Sequence, residues 1–284
     1  MKPAPFAYVR AETLDQVFDL LDAHGDEARI LAGGQSLMAT LNMRLSAPEV
    51  LIDINHLEGL SEISCDGETL KIGALTRHSQ VLYSAEVQTY APLIAKAMPH
   101  VAHQAIRNRG TFGGSVAFAD PAAELPAVNR ALGSRFILQS REGQRTVAAD
   151  DFFQGLFETD LKENELLVGV EIPVIQDDEK TAFMELSRRH GDYAMVGIAV
   201  QGYLEDETFA DMRLGFFGAG DQPIIAKNAA AALNGQTNNE DTIKRAQEAL
   251  GTDLDPMPDL NGPAEMKMHL ARVLTKRALA ELAS

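Results

Sequence analysis

Arg107-Asn108-Arg109-Gly110-Thr111-Phe112-Gly113-Gly114-Ser115-Val116-Ala117-Phe118-Ala119-Asp120-Pro121-Ala122-Ala123-Glu124-Leu125-Pro126 is the stretch on which the fold turns. Three glycines and a serine crowd one short segment. An apolar run follows, and Asp120-Pro121 opens what reads as a helix. Glycine lets another molecule approach the backbone closely, and successive N–H groups bent into such a loop make a concave anion site. About 80 residues upstream, Arg29-Ile30-Leu31-Ala32-Gly33-Gly34-Gln35-Ser36-Leu37 repeats the theme. A short β-like run enters a Gly-Gly turn and a helical pattern leaves it, an order that presents N–H donors to a phosphate. Either pair alone also fits an ordinary turn. Two such loops point to a phosphate-bearing cofactor gripped from two sides. Neither loop follows G-x-G-x-x-G and neither carries G-K-[ST], so the common nucleotide motifs are absent.

The 284 residues suffice for one large or two ordinary domains and a substantial core. Hydrophobic content of 45% and charged content of 23% are those of a soluble globular chain. A net charge of −16 argues against a nucleic-acid or anionic-membrane surface. Any diphosphate must then be met locally, by backbone donors and by nearby arginines: Arg29, Arg44, Arg107 and Arg109 are the candidates. The single cysteine, Cys65, excludes an internal disulfide framework and any iron–sulfur cluster held by this chain, which needs about four thiolates. With no long apolar run, neither a signal peptide nor a membrane span is read, and a cytoplasmic location follows by default.

Outward from the glycine segments, the chain divides into three parts. In residues 1–55, Thr13 with Gln16 makes a capping-box start for a helix bearing Leu14, Val17, Phe18 and Leu21, ended by Gly25. Ala28–Ala32 reads as a buried strand, Ser36–Leu45 as a helix with a Leu37, Leu41 and Leu45 stripe and Met38 and Met43 as core filler, and Glu49–Ile54 as a second strand. In residues 56–175, two runs alternate about Asp66-Gly67, a hairpin signal. Thr76 to about Met98 reads as helix interrupted at Pro92, with His78, His100 and His103 as surface or capping histidines. Ala122–Ala131 is a helix ended by Gly133, and a hairpin and a strand to Pro173 follow. After the polar linker Gln176–Lys180, residues 176–284 give three strands and then three helices, which predicts an antiparallel sheet with helices on one face. The last helix carries a stripe of Met266, Leu270, Val273, Leu274, Ala278 and Leu282.

Ala32-Gly33-Gly34-Gln35-Ser36-Leu37 and Thr111-Phe112-Gly113-Gly114-Ser115, with Ala119–Pro126, Ile72–Thr76, Glu171–Pro173 and Arg188–Ala194, resemble in order the motifs of the FAD-binding medium subunit of the molybdenum hydroxylase family, which includes aerobic carbon monoxide dehydrogenase and xanthine dehydrogenase. The resemblance covers nearly the whole chain. It implies an α+β fold: a two-lobed α/β FAD-binding domain of the vanillyl-alcohol oxidase type (residues 1–55 and 56–175) and a C-terminal sheet-plus-helices domain (176–284). It also implies an electron-transfer role. A large partner subunit would hold molybdopterin and a small one two [2Fe-2S] clusters. FAD in this chain would pass electrons to an external acceptor, in a heterotrimer that pairs as a dimer.

By the same resemblance, backbone N–H groups of Ala32, Gly33, Gly34, Gln35 and Ser36 cradle the FAD diphosphate on one side, with Arg29 and Leu37 flanking them. Thr111, Gly113, Gly114 and Ser115 close on the other. Glu124 stands where the family places a carboxylate on the cofactor's hydroxyls. Val101 and Leu167 match contact positions, the latter apolar, and Tyr193 matches a residue against the flavin ring. Phe118 occupies a position often polar in relatives. Gln35, where carbon monoxide enzymes often carry His, leans toward enzymes of N-heterocycles. Read from chemistry alone, Glu124 could instead charge a helix start, Tyr193 could be a packed aromatic and Leu167 a core strand residue. No G-x-S-x-G, H-E-x-x-H or Cys/His nucleophile pair is present. Two other readings remain open from sequence: a stand-alone flavin oxidoreductase of the same fold group, and an acidic scaffold whose glycine loops are only turns.

Overall fold

In the computed structural model, which describes residues 2–284, three sheets meet around one cleft. The first is parallel. Strands β1 (Ala7–Arg10), β2 (Ala28–Leu31) and β3 (Val50–Asp53) lie in the order β1-β3-β2, with Val50 opposite both Ala7 and Ala28. Helix α1 (Leu14–His24) connects β1 to β2 and buries Val17, Phe18 and Leu21 on the sheet. Thr13 Oγ1 caps Gln16 N, and the Gln16 side chain returns to Glu12 N, so the predicted box closes one residue early. Only Ala28 of β2 is fully buried; the rest of that strand is half-covered or exposed.

Helix α2 (Leu37–Asn42) is shorter than its leucine stripe predicts. Arg44 takes a left-handed φ of 58°. Arg44 N bonds Leu41 O and Leu45 N bonds Thr40 O, the bond pair of a left-handed helix cap. The chain therefore turns outward, leaving Leu45 72% and Met43 61% exposed. The core role predicted for them fails because a backbone reversal, not periodicity, sets their direction.

The second sheet is antiparallel. Strands β4 (Ile63–Cys65) and β5 (Thr69–Gly73) form the predicted hairpin. The predicted long helix is three short ones, α3 (His78–Tyr83), α4 (Ala85–Tyr90) and α5 (Pro92–Ala97). Ser84 makes the additional break: it ends α3 and its hydroxyl caps Val87 N at 3.2 Å. Then come α6 (Gln104–Arg107), α7 (Phe112–Phe118) and α8 (Glu124–Ala131), then β6 (Arg135–Ser140), β7 (Gly143–Ala148), α9 (Ala149–Phe152), the small pair β8 (Phe153–Gly155) and β9 (Glu158–Thr159), and β10 (Leu166–Pro173). The sheet order is β4-β5-β10-β6-β7. Strand β10 joins the lobes: Leu166 and Val168 lie in the core of the first, Leu167 and Val170 in that of the second.

Strands β11 (Glu179–Leu186), β12 (Val196–Glu205), β13 (Thr208–Phe217) and β14 (Ile224–Ile225) form the third sheet, antiparallel in that order. Its alternate residues go to opposite cores. Ala182, Ile198, Val200 and Leu214 face α10 (Lys227–Leu233), α11 (Glu240–Asp253) and α12 (Ala264–Leu282), while Phe183, Ala199 and Phe217 join the second lobe. The sheet's own helices thus cover one face, and α5 and α8 the other. On α12 the inner face runs through Lys267, Ala271, Leu274, Ala278 and Leu282; Lys267 is buried there by its ion pair with Asp259 at 2.8 Å.

Candidate cofactor site

The two glycine segments touch. A Cβ placed on Gly33 would strike the Arg109 carbonyl oxygen and lie 2.7 Å from Gly110 Cα, and one on Gly114 would come 3.8 Å from Ala32 Cβ. Gly34 has a φ of +71°, the left-handed turn that a side chain resists. Next to this contact opens a cleft of about 440 Å³. Its walls come from the turn after β2, the α6–α7 segment, the start of α8, the beginning of β10 and the Gly191–Tyr193 turn between β11 and β12. Gly191 brings that last turn onto His103 and the Ala102 carbonyl.

The segments differ in what they offer. Backbone N–H groups of Ala32, Gly33, Gly34, Gln35 and Ser36 have no acceptor among the described residues, a run of five orphan donors on a turn that lines the cleft. The second pair lies not in a loop but in the first turn of α7, capped by Thr111. There Phe112 N bonds Thr76 O, Gly113 N bonds Ala74 O and Gly114 N bonds Thr111 Oγ1. Gly113 is small for the protein's own sake, since a Cβ on it would sit 2.5 Å from Ala74 Cβ. The donors left on that wall are the Thr111 main-chain N–H, which has no acceptor among the described residues, and the hydroxyls of Thr111 and Ser115.

Three ionisable groups of the cleft are strongly perturbed. Glu124, 6% exposed at the start of α8, has no side-chain partner among the described residues. Burial first, and then the nearby Glu185 and Asp120 carboxylates, push it up to about 7. At neutral pH it can donate or accept a hydrogen bond. Tyr193 is pushed up to about 12, chiefly by burial and by the nearby Asp120 carboxylate. The ring itself is 55% exposed at the mouth. His78 is buried and held down at about 4 by desolvation. Its Nε2 donates to Thr111 O at 2.9 Å, while Nδ1 is buried without a partner among the described residues. The surface role expected for His78 is therefore wrong: α3 starts beneath the second glycine segment, and the ring has nowhere else to go. His100 pairs with the buried Glu185 at 3.3 Å, whereas His103 is exposed.

Ala32, Gly33, Gly34, Gln35, Ser36, Leu37, Val101, Thr111, Gly113, Gly114, Ser115, Phe118, Glu124, Leu167 and Tyr193 all line the cleft. Arg29 does not; its guanidinium turns back to the carbonyls of Asp26 and Ala28 at 2.6 and 2.7 Å. Arg107 is spent on Val101 O and Ala102 O, Arg44 reaches Lys2 O, and Arg109 lies outside the cleft wall. The guanidinium help expected from sequence is absent because Arg29, Arg44 and Arg107 serve main-chain carbonyls and none of the four lines the cleft. Phe118 packs edge-on against Phe157, 5.2 Å between centroids, making that wall apolar. Sequence reading passed over Asp120 and His78 as site residues. Asp120 was visible only as a helix-opening Asp-Pro, and nothing local marks His78.

A cleft that offers free main-chain donors on one wall, and whose inner polar groups are carboxyl and hydroxyl, suits one class: a protein that takes a diphosphate-bearing cofactor between three sheets. Comparison with known proteins narrows this. The family model described as the FAD binding domain in molybdopterin dehydrogenase matches residues 4–175, and that of the CO dehydrogenase flavoprotein C-terminal domain matches residues 181–282. The chain is 38% identical to the 6-hydroxypseudooxynicotine dehydrogenase complex subunit alpha of Paenarthrobacter nicotinovorans, over 99% of this chain and 95% of that one. It is 37% identical to caffeine dehydrogenase subunit beta of a Pseudomonas species, over 100% and 96%. It superposes on carbon monoxide dehydrogenase from Hydrogenophaga pseudoflava with a TM-score of 0.97 at 35% identity, over 99% and 98%. The chain belongs to the molybdenum hydroxylase flavoproteins: it is an FAD-binding medium subunit, a component of an oxidoreductase. End-to-end likeness to subunits of complexes overturns the stand-alone oxidoreductase reading. Among the described residues no helix is long and apolar enough to cross a membrane.

Proposed function

We propose that Ala32 to Ser36 hold the FAD diphosphate by their N–H groups, that Ser115 and Thr111 close on it with hydroxyls, and that Glu124 bonds the cofactor's sugar or ribityl hydroxyls. Leu167, Val101 and Phe118 supply apolar contact, and Tyr193 covers the ring side of the cleft. The observation that carries this reading is the run of five orphan donors on the turn that lines the cleft. Bound FAD would take up electrons one at a time and store two of them. The protein's part is to grip, orient and shield it.

Partners complete the function. A small subunit with two [2Fe-2S] clusters delivers electrons and a large subunit holds molybdopterin and the substrate; two such heterotrimers pair. An external acceptor takes the electrons from FAD. The compartment is the cytoplasm. The substrate is an N-heterocycle, a reading supported by Gln35 and by a relative named for caffeine. The test is to purify the chain with co-expressed small and large partner subunits and record the visible flavin spectrum, with Gly34→Val alongside. Flavin in the wild type and its loss in the variant, with the third sheet intact, is the expected result. A folded, colourless wild-type complex overturns the proposal. Turnover of an aldehyde or carbon monoxide, but of no N-heterocycle, overturns the substrate alone.

A further inference from the structure

Two side chains outside the cleft tie its glycine segments together. Asn55 follows β3. Its Nδ2 donates to the Ala32 carbonyl at 2.8 Å and to Asp53 Oδ1 at 2.6 Å, and its Oδ1 accepts from an Arg77 terminal nitrogen at 2.7 Å. The other terminal nitrogen of Arg77 donates to the Arg109 carbonyl. Ala32 and Arg109 immediately precede Gly33 and Gly110, the residues at which the two segments meet. Asp53 is itself held by the Tyr8 hydroxyl at 2.5 Å.

Main-chain bonds account for each segment separately. Ile54 N to Leu31 O fixes the first to β3, while His78 N to Gly110 O and Phe112 N to Thr76 O fix the second to the start of α3. The Asn55–Arg77 bond is where these two frames join. We propose that Asn55 and Arg77 are positioning residues for the cofactor: they set the separation of the two cleft walls and so keep the five free donors registered on the hydroxyls of Thr111 and Ser115. The inference rests on the FAD reading above. Neither residue lines the cleft, so each acts through the segment it holds. Without the tie the walls sample wider separations, and the apparent Kd rises by the reciprocal of the fraction still competent to bind.

The test uses the complex as purified, stripped of FAD and titrated with it, for wild type, Arg77→Met, Asn55→Ala, Arg77→Lys and the Asn55→Ala/Arg77→Met double variant. Loss of a charge-assisted bond predicts an FAD Kd raised by about tenfold or more in each truncation, with partial rescue in Arg77→Lys. The double variant is expected to be no worse than the poorer single one, the signature of a shared link. Titration well below the melting temperature, with thermal midpoints measured separately, keeps a general loss of stability from mimicking the effect. Wild-type FAD affinity in both truncations, or fully additive losses in the double variant, overturns the proposal. Failure of the wild type to take up FAD overturns the reading beneath it instead.

Discussion

Replacing Glu124 by Gln is expected to stabilise the folded chain and weaken its hold on FAD. The carboxyl is 6% exposed, unpartnered, and raised from 4.5 to about 7, first by burial and then by Glu185 and Asp120. A folded-state pKa above the unfolded one means the native chain binds its proton more tightly. Below the unfolded value both states are protonated and the group is neutral in the balance. As pH rises from 4.5 through 7, the unfolded chain gives up its proton first and stability falls, by about 3 kcal/mol once both states are ionised. Gln keeps the shape and never ionises, so Glu124→Gln should gain little at pH 5 and about 3 kcal/mol at pH 8. Urea unfolding of the apo chain at the two pH values measures the difference. FAD titration at pH 8 should move the other way, with Kd raised about tenfold by loss of one buried hydrogen bond to a charged group. A variant less stable than wild type at pH 8, or a stability difference that does not change with pH, refutes the burial argument; an unchanged Kd removes Glu124 from the cofactor's contacts.

Gly33→Ala should lower FAD affinity by one to two orders of magnitude, because its Cβ meets backbone, which cannot swing aside, at a typical overpacking cost of about 1–3 kcal/mol; equilibrium titration checks it, and a wild-type Kd would mean the two segments separate freely. Tyr193→Phe removes the hydroxyl near Asp120 at the mouth of the cleft, and should speed FAD release severalfold in stopped-flow displacement while leaving the melting temperature within a few degrees. His78 is depressed from 6.5 to about 4, so its contribution to stability is fully present above pH 6.5 and lost as pH falls toward 4. His78→Gln should flatten that acid limb in thermal melts between pH 4 and 7, and an unaltered limb would assign it to other groups.

Local signals carried far in this chain. Thr13 and Gly25 bound α1, Asp66-Gly67 turns the first hairpin, Pro92 starts α5 and Pro173 ends β10, because caps, tight turns and proline act within a few residues of themselves. They fail where direction depends on distant parts. Leu45 has the right spacing for a core stripe, yet one left-handed residue at Arg44 turns it to solvent. Gly113 looks like a cofactor-facing glycine, yet the atom that demands its smallness belongs to Ala74.

The amino-acid order by itself determined that two side-chain-poor segments exist, that one thiol and a net charge of −16 leave no cluster and no basic surface, and which side chains could meet a cofactor. Tertiary structure alone decided that Gly33 rests on Gly110, that the first glycine pair keeps its N–H groups free while the second pair's are used within the chain, and that Arg29 turns away while Arg77 joins the two walls. The physical reason is range. A turn's conformation follows from residues beside it, but whether its N–H groups remain free depends on which carbonyls the rest of the chain brings within 3 Å or so.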